Sequence, residues 1–255
     1  MCLLAIHFRS FAEAPLAAAA NREEFFNRAS LPPQLITAAA PGAPRVLCGV
    51  DALAGGTWLG VNERGLFVAV TNRPKTSVPL APRSRGQLCL DLLACRSAEE
   101  ASRRAVDELS TGRYAGANYV CVDSASGNVI HAGDQIERIS LEPGLHLLAN
   151  GDLDDPGDSR LNLARELFTA RPSGTAVEFL AAAQQVCGHY LPGAGPGRPS
   201  IVLRAADRGT VSSTLVSLAA APALAVYRYA AGPPDRTPFE DFSPLLRSLC
   251  DVSAK

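Results

Sequence analysis

A chain of 255 residues with 47% hydrophobic and 19% charged side chains can bury a substantial core and has an ordinary globular balance. Its 24 Lys+Arg against 25 Asp+Glu leave a formal charge of −1, with no overall basic excess to point to nucleic acid or an anionic membrane. The longest apolar runs, such as residues 215–226, are broken by Ser217 and Pro222, and the first residues lack a charged segment leading into an apolar one. The expectation is a cytoplasmic protein with no membrane span.

The chain opens Met1-Cys2-Leu3-Leu4-Ala5-Ile6-His7-Phe8. Removal of Met1, favoured by the small side chain at position 2, would leave one residue carrying both a thiol and a free α-amine. Their ordinary pKa values, about 8.5 and about 7.7–8.0, let the amine be largely neutral near physiological pH and accept the thiol proton. Nucleophile and base then sit on one residue, the logic of N-terminal nucleophile enzymes. The plainer reading is a small apolar side chain at the head of a buried strand. The other cysteines, Cys48, Cys89, Cys95, Cys121, Cys187 and Cys250, are scattered without a CxxC pair, so neither a zinc site nor a disulfide framework is expected.

Residues 3–8 read as a short buried strand. Residues 15–21 are bracketed by Pro15 and Asn21 like a strand, and their run of alanines would let a neighbour approach closely. Asn21-Arg22-Glu23-Glu24 reads as a polar loop or helix start, and the Pro- and Ala-rich residues 29–45 as a loop. Strands are expected at 46–50, 58–61 and 66–72, with Arg73-Pro74 forcing an extended or turning exit. Helices are expected from 84 to 109, where Leu88, Leu92 and Leu93 share a face. Strands return at 118–122, 129–132, 136–141 and 146–150, followed by a helical pair at 159–170 and 175–187. A glycine-rich loop at 193–197 leads to strands at 200–205, 211–218 and 224–229, and a short helix is expected within 239–249. His7 and His131 fall in apolar strand patterns and read as core. The order is not alternating βαβ, so two mostly antiparallel sheets covered by helices are expected, an α+β chain forming one domain over residues 1–255.

Met1-Cys2, Asn21-Arg22-Glu23-Glu24, Gly55-Gly56-Thr57-Trp58-Leu59-Gly60-Val61-Asn62, Thr71-Asn72-Arg73 and Asn150-Gly151 occur in this order. Together they resemble the NRDE family, also called the transport and Golgi organisation protein 2 family, whose Asn-Arg-Asp-Glu has Glu23 as its third letter here. The resemblance implies an N-terminal nucleophile hydrolase-like αββα sandwich. It also implies Cys2 as nucleophile and base, Arg22 with Glu23 as the charged pair beside it, and Asn72 and Asn150 as groups that orient the amine or bind an oxyanion. Amide donors of this kind are worth roughly 3–4 kcal/mol. Bland roles stand beside these: a structural ion pair for Arg22–Glu23, strand-end caps for the two asparagines, a tight turn for Gly55-Gly56 and an apolar anchor for Trp58. The family commonly has Gly-Thr-Arg where this chain has Gly209-Thr210-Val211, so that arginine's role is vacant or passes to Arg208 or Arg228. The implied activity is hydrolysis of a linear amide in an N-acyl substrate through a Cys2 thioester, with no metal and no required cofactor. The alternative is a non-catalytic haem or acyl-lipid binding and trafficking protein on the same fold, with haem held non-covalently because no CxxCH motif is present.

Overall fold

The computed structural model describes residues 3–37, 42–195 and 197–250, so Cys2 lies outside the described residues. In chain order the first elements are β1 (Leu3–Phe11), β2 (Ala14–Phe25), β3 (Ser30–Thr37), β4 (Arg45–Asp51), β5 (Leu59–Asn62) and β6 (Phe67–Asn72). Helices α1 (Arg85–Leu93) and α2 (Ala98–Ser110) follow, then β7 (Ala117–Val122), β8 (Gly127–Ala132), β9 (Ile136–Ser140) and β10 (Gly144–Leu148). A second helical pair, α3 (Ser159–Thr169) and α4 (Ala176–Cys187), leads to β11 (Arg208–Leu218), β12 (Val226–Ala230), β13 (Glu240–Asp241) and α5 (Ser243–Cys250). Ser84, Ser97, Asp158 and Thr175 precede α1 to α4, and each side chain accepts a backbone N–H of the first turn.

The chain divides into two compact units: residues up to Asn27 with Pro143–Ser243, and Arg28–Glu142 with the chain from Pro244. The first holds a six-stranded antiparallel sheet of order β10-β1-β2-β11-β12-β13. Leu3 and Ala5 of β1, Ala17 and Ala19 of β2 and Leu215 of β11 pack with Leu161 and Phe168 of α3 and Phe179, Ala183 and Val186 of α4. The alanines of β2 do admit a close neighbour, helix α4. The second unit holds a seven-stranded antiparallel sheet of order β3-β4-β5-β6-β7-β8-β9. Val46, Val68, Tyr119 and Ile130 of this sheet pack on Leu88 and Leu92 of α1 and Ala101 and Ala105 of α2.

The Gly-Trp block is part of that second core. A Cβ on Gly56 would lie 2.2 Å from the backbone of Gly86, and one on Gly49 would lie 2.5 Å from the Trp58 ring. Gly55 turns the chain with φ of 68°. The fully buried Asn62 closes the block: its Nδ2 donates to the Leu93 and Cys95 carbonyls and its Oδ1 accepts from Arg64 and Leu66 N–H, all at 2.9–3.0 Å.

Three expectations are corrected. Asn21–Glu24 is not a loop but the buried end of β2, because β11 pairs with it through Ser213, Ser212, Thr210 and Gly209. Residues 29–45 contain β3, an edge strand whose register shifts between Leu31 and Gln34; such edges and irregularities accommodate Pro32 and Pro33, which lack N–H donors. Residues 200–205 form no strand. Ile201 and Val202 are fully buried, yet their backbone is satisfied piecemeal: the Ile201 carbonyl accepts from Arg160 and the Val202 N–H donates to His189 O.

Candidate active site

Strand alternation sets the geometry around the head of β1. Leu3 and Ala5 belong to the core under α3 and α4, so Leu4 and Ile6, both buried, project to the opposite face. On β2 the helix-facing row runs Ala17, Ala19, Asn21, Glu23. Asn21 is fully buried and its Nδ2 donates to the Cys187 carbonyl at 2.9 Å, in the last turn of α4. Arg22 lies between these two and projects the other way.

The Arg22–Glu23 pair is therefore divided by the pleat. Glu23, 6% exposed, takes Arg160 Nη2 at 2.5 Å on Oε1 and Arg160 Nη1 at 3.3 Å on Oε2. Burial pushes the Glu23 carboxyl up from its ordinary range, against the pull of Arg160. Arg160 Nη2 also donates to Ile201 O at 2.6 Å, so one guanidinium ties β2, α3 and the irregular segment together. Arg22, 5% exposed, has Glu24 on its own face, with Nη2 3.9 Å from Glu24 Oε2. Arg160 was missed by the sequence reading. Its signal was present: an arginine on one helical stripe with Leu161, Ala164 and Phe168, the buried face of α3.

Asn150 follows β10, the strand on the other side of β1, and its Oδ1 is buried without a hydrogen-bond partner. Ser212, directly across from Arg22 on β11, has a fully buried Oγ that is likewise unpartnered. Asn72 ends β6 in the other unit and is exposed. Val211 sits where the β2–β11 register shifts between Thr210 and Ser212. Neither suggested substitute is a buried cation: Arg208 is exposed over the Phe25 ring, and Arg228 is exposed across from Asp241. Arg22 and Arg160 are the buried cations among the described residues.

The remaining cysteines are poor nucleophiles. Burial pushes Cys48 up to about 11 and Cys121 and Cys187 up to about 12, so their thiolates are not populated at neutral pH. His131 is buried and His7 is half-buried between the Phe11 and Phe179 rings, as core residues. Among the described residues no group of three or more His, Cys, Asp or Glu could hold a metal ion.

A family model described as "Transport and Golgi organisation 2" matches residues 1–180. The chain belongs to that family. The "Transport and Golgi organization 2 homolog" of Mus musculus is 32% identical over 163 residues, 60% of this chain and 56% of the relative. The chain thus spans just over half the length of that curated relative. Among solved structures, the Caenorhabditis elegans N-acylethanolamine-hydrolyzing acid amidase ortholog superposes with a TM-score of 0.53 at 15% identity, covering 84% of this chain and 92% of that one. Penicillin V acylase from Agrobacterium tumefaciens gives 0.52 at 13% identity, covering 90% and 83%. These likenesses show the fold: α+β, with two antiparallel sheets and their helices, of the N-terminal nucleophile hydrolase type.

Proposed function

We propose that this member of the family is an N-terminal cysteine amidohydrolase that cleaves a linear amide in an N-acyl substrate. With Met1 removed, the Cys2 amine takes the thiol proton and the sulfur attacks the amide carbonyl carbon. The S–C bond forms, the C–N bond breaks, and the leaving amine takes the proton back. Water then attacks the thioester and releases a carboxylic acid and the free thiol.

The observation that carries this reading is the pair of polar groups flanking the head of β1. Leu3 pairs with Asn21 and Leu4 with Leu148, so the flanking chains continue with Arg22 on one side and Ala149-Asn150 on the other. A buried cation beside a thiol favours thiolate. A buried carbonyl oxygen without a donor, as on Asn150, suits an α-amine N–H. The two structural neighbours lend support, since one is named as an N-acylethanolamine-hydrolyzing amidase and the other as an acylase. Glu23 enters as a support for β2 through Arg160.

The test combines intact mass with turnover of a panel of N-acyl amides. The expected mass lacks Met1, and Cys2→Ser should keep the fold while losing about 10³-fold or more in rate. One residue added before Cys2 should be equally damaging. Turnover by a protein that retains Met1 would overturn the mechanism. The carrier reading predicts another outcome: tight haem or acyl-lipid binding, equal in wild type and Cys2→Ala, with no amide turned over.

A further inference from the structure

The near-zero net charge conceals a local segregation. From Arg64 to Leu90 the chain carries Arg64, Arg73, Lys75, Arg83 and Arg85 and no acidic residue. Inside this stretch, residues 73–84 connect β6 to α1 without a helix or strand. Both ends of the connection are clamped. The Thr76 N–H and hydroxyl donate to the Asp134 carboxylate at 2.9 and 2.6 Å. Arg83 donates to Asp91 at 2.8 Å, Glu108 at 3.1 Å and the Tyr114 hydroxyl at 2.8 Å.

Between the clamps runs Ser77-Val78-Pro79-Leu80-Ala81-Pro82, with no charged side chain. Its prolines fix φ and stiffen the loop. Val78 is 50% exposed and Leu80 is 108% exposed, touching essentially nothing of the protein. A second apolar tip is fastened to the helix that this loop enters. Leu53, 76% exposed, lies in the turn between β4 and β5, whose Ala54 carbonyl accepts from Gln87 Nε2 at 2.8 Å. Single exposed apolar side chains are unremarkable, and loop tips ordinarily carry small polar residues. Here three large ones crown two loops held at the start of α1.

We propose that this end of the seven-stranded unit docks on an anionic lipid surface. Val78, Leu80 and Leu53 enter the boundary between headgroups and acyl chains. Lys75, whose Nζ donates to the Tyr114 carbonyl at 3.2 Å, and Arg113, whose carbonyl accepts from Arg83 N–H and whose exposed guanidinium lies 3.2 Å from Glu108, turn their remaining N–H groups to the anionic headgroups. Three side chains are too few for a stable protein interface, which needs about 1,000 Å² of well-matched surface. A bilayer demands no shape match, and a few apolar side chains with basic neighbours give reversible attachment. Asp91, Glu108 and Asp134 lie among the clamps and offset part of the positive charge, so the electrostatic share is modest and sensitive to salt. Among the described residues no helix is long and apolar enough to cross a membrane. The proposal stands independently of the amidohydrolase reading.

Flotation with vesicles of phosphatidylcholine alone, or mixed with phosphatidylserine, tests it. Wild type should float with the mixed vesicles, less with the neutral ones, and detach as salt rises. L53S/V78S/L80S should lose about tenfold or more in partitioning to both, with an unchanged melting temperature. K75Q/R113Q should lose binding to the mixed vesicles only. Wild type that floats with neither vesicle, or a triple variant that floats as wild type does, would overturn the proposal. So would a triple variant that keeps vesicle binding but loses turnover of a water-soluble N-acyl amide, since the loop would then serve the substrate.

Discussion

Asn62 and Asn150 are the same side chain put to opposite uses in the two units. Asn62, in the seven-stranded unit, is fully buried and spends its donors and acceptor on four backbone groups. Asn150, in the six-stranded unit, holds a buried Oδ1 that accepts nothing. The contrast extends beyond this pair. Of seven buried side-chain N or O atoms without a partner among the described residues, those of Asn21, Asn150, Arg160, His189, Arg204 and Ser212 lie in the six-stranded unit; only that of Asn128 lies in the other. Each such group costs about 1–3 kcal/mol of lost hydration. One unit is built as a satisfied scaffold. The other carries unspent polarity, with Asn21 on β2 and Asn150 just past β10 on either side of β1 and the rest farther out, and groups of this kind call for a functional account.

The largest test of that contrast is Arg160→Met. It removes the guanidinium that binds both oxygens of the buried Glu23 carboxyl and should cost about 3–5 kcal/mol in urea denaturation. Adding Glu23→Gln should recover a good part, because the buried charge is then gone. If the single change cost under about 1 kcal/mol, the Arg160–Glu23 tie would not be what holds β2 to α3. Next in size, Asn62→Ala should cost about 2–3 kcal/mol and leave the rate per folded molecule unchanged. Asn150→Ala should do the reverse, costing under about 1 kcal/mol in stability but lowering amide turnover about 10²-fold or more. Equal stability losses at the two asparagines would erase the distinction between the units.

The smallest effect concerns His7. Burial, and then the charge of His146, lowers its pKa from 6.5 to about 4. Between those values the unfolded chain holds the His7 proton and the folded chain does not. Stability is therefore level above pH 6.5 from this group and declines as the pH falls toward 4. The ring is only half-buried, so solvent screening keeps the loss to about 1 kcal/mol. His7→Gln should flatten the decline, measured by denaturation between these two pH values. An unchanged slope would place the proton uptake elsewhere.

Much of the architecture was legible from local pattern. The shared face of Leu88, Leu92 and Leu93 and the grouping of strands foretold two antiparallel sheets with helical pairs, because periodicity acts over a few residues. The candidate site was less legible. Arg22 and Glu23 are neighbours in sequence but are sent to opposite faces by the pleat, so adjacency misled about who pairs with whom. The loop expected at Asn21–Glu24 is a strand because β11, almost 190 residues away, completes its ladder; polar composition could not announce that.

By itself the sequence determined what is chemically available: a cysteine at position 2, a glycine turn before Trp58, an arginine on the apolar stripe of α3 and an uninterrupted basic run from Arg64 to Leu90. Tertiary structure decided which of these groups are spent and which are free. Asn62 meets two partners in its own turn, Arg64 and Leu66, but the Leu93 and Cys95 carbonyls reach it only in the folded chain, and Asn150 Oδ1 is left with none. The charge on Glu23 is matched from α3, and Leu80 is left in water at the apex of a clamped loop. The physical reason is one of range. Periodicity, capping and turn chemistry act within a few residues, whereas hydrogen-bond satisfaction and burial depend on groups that only the folded chain brings together.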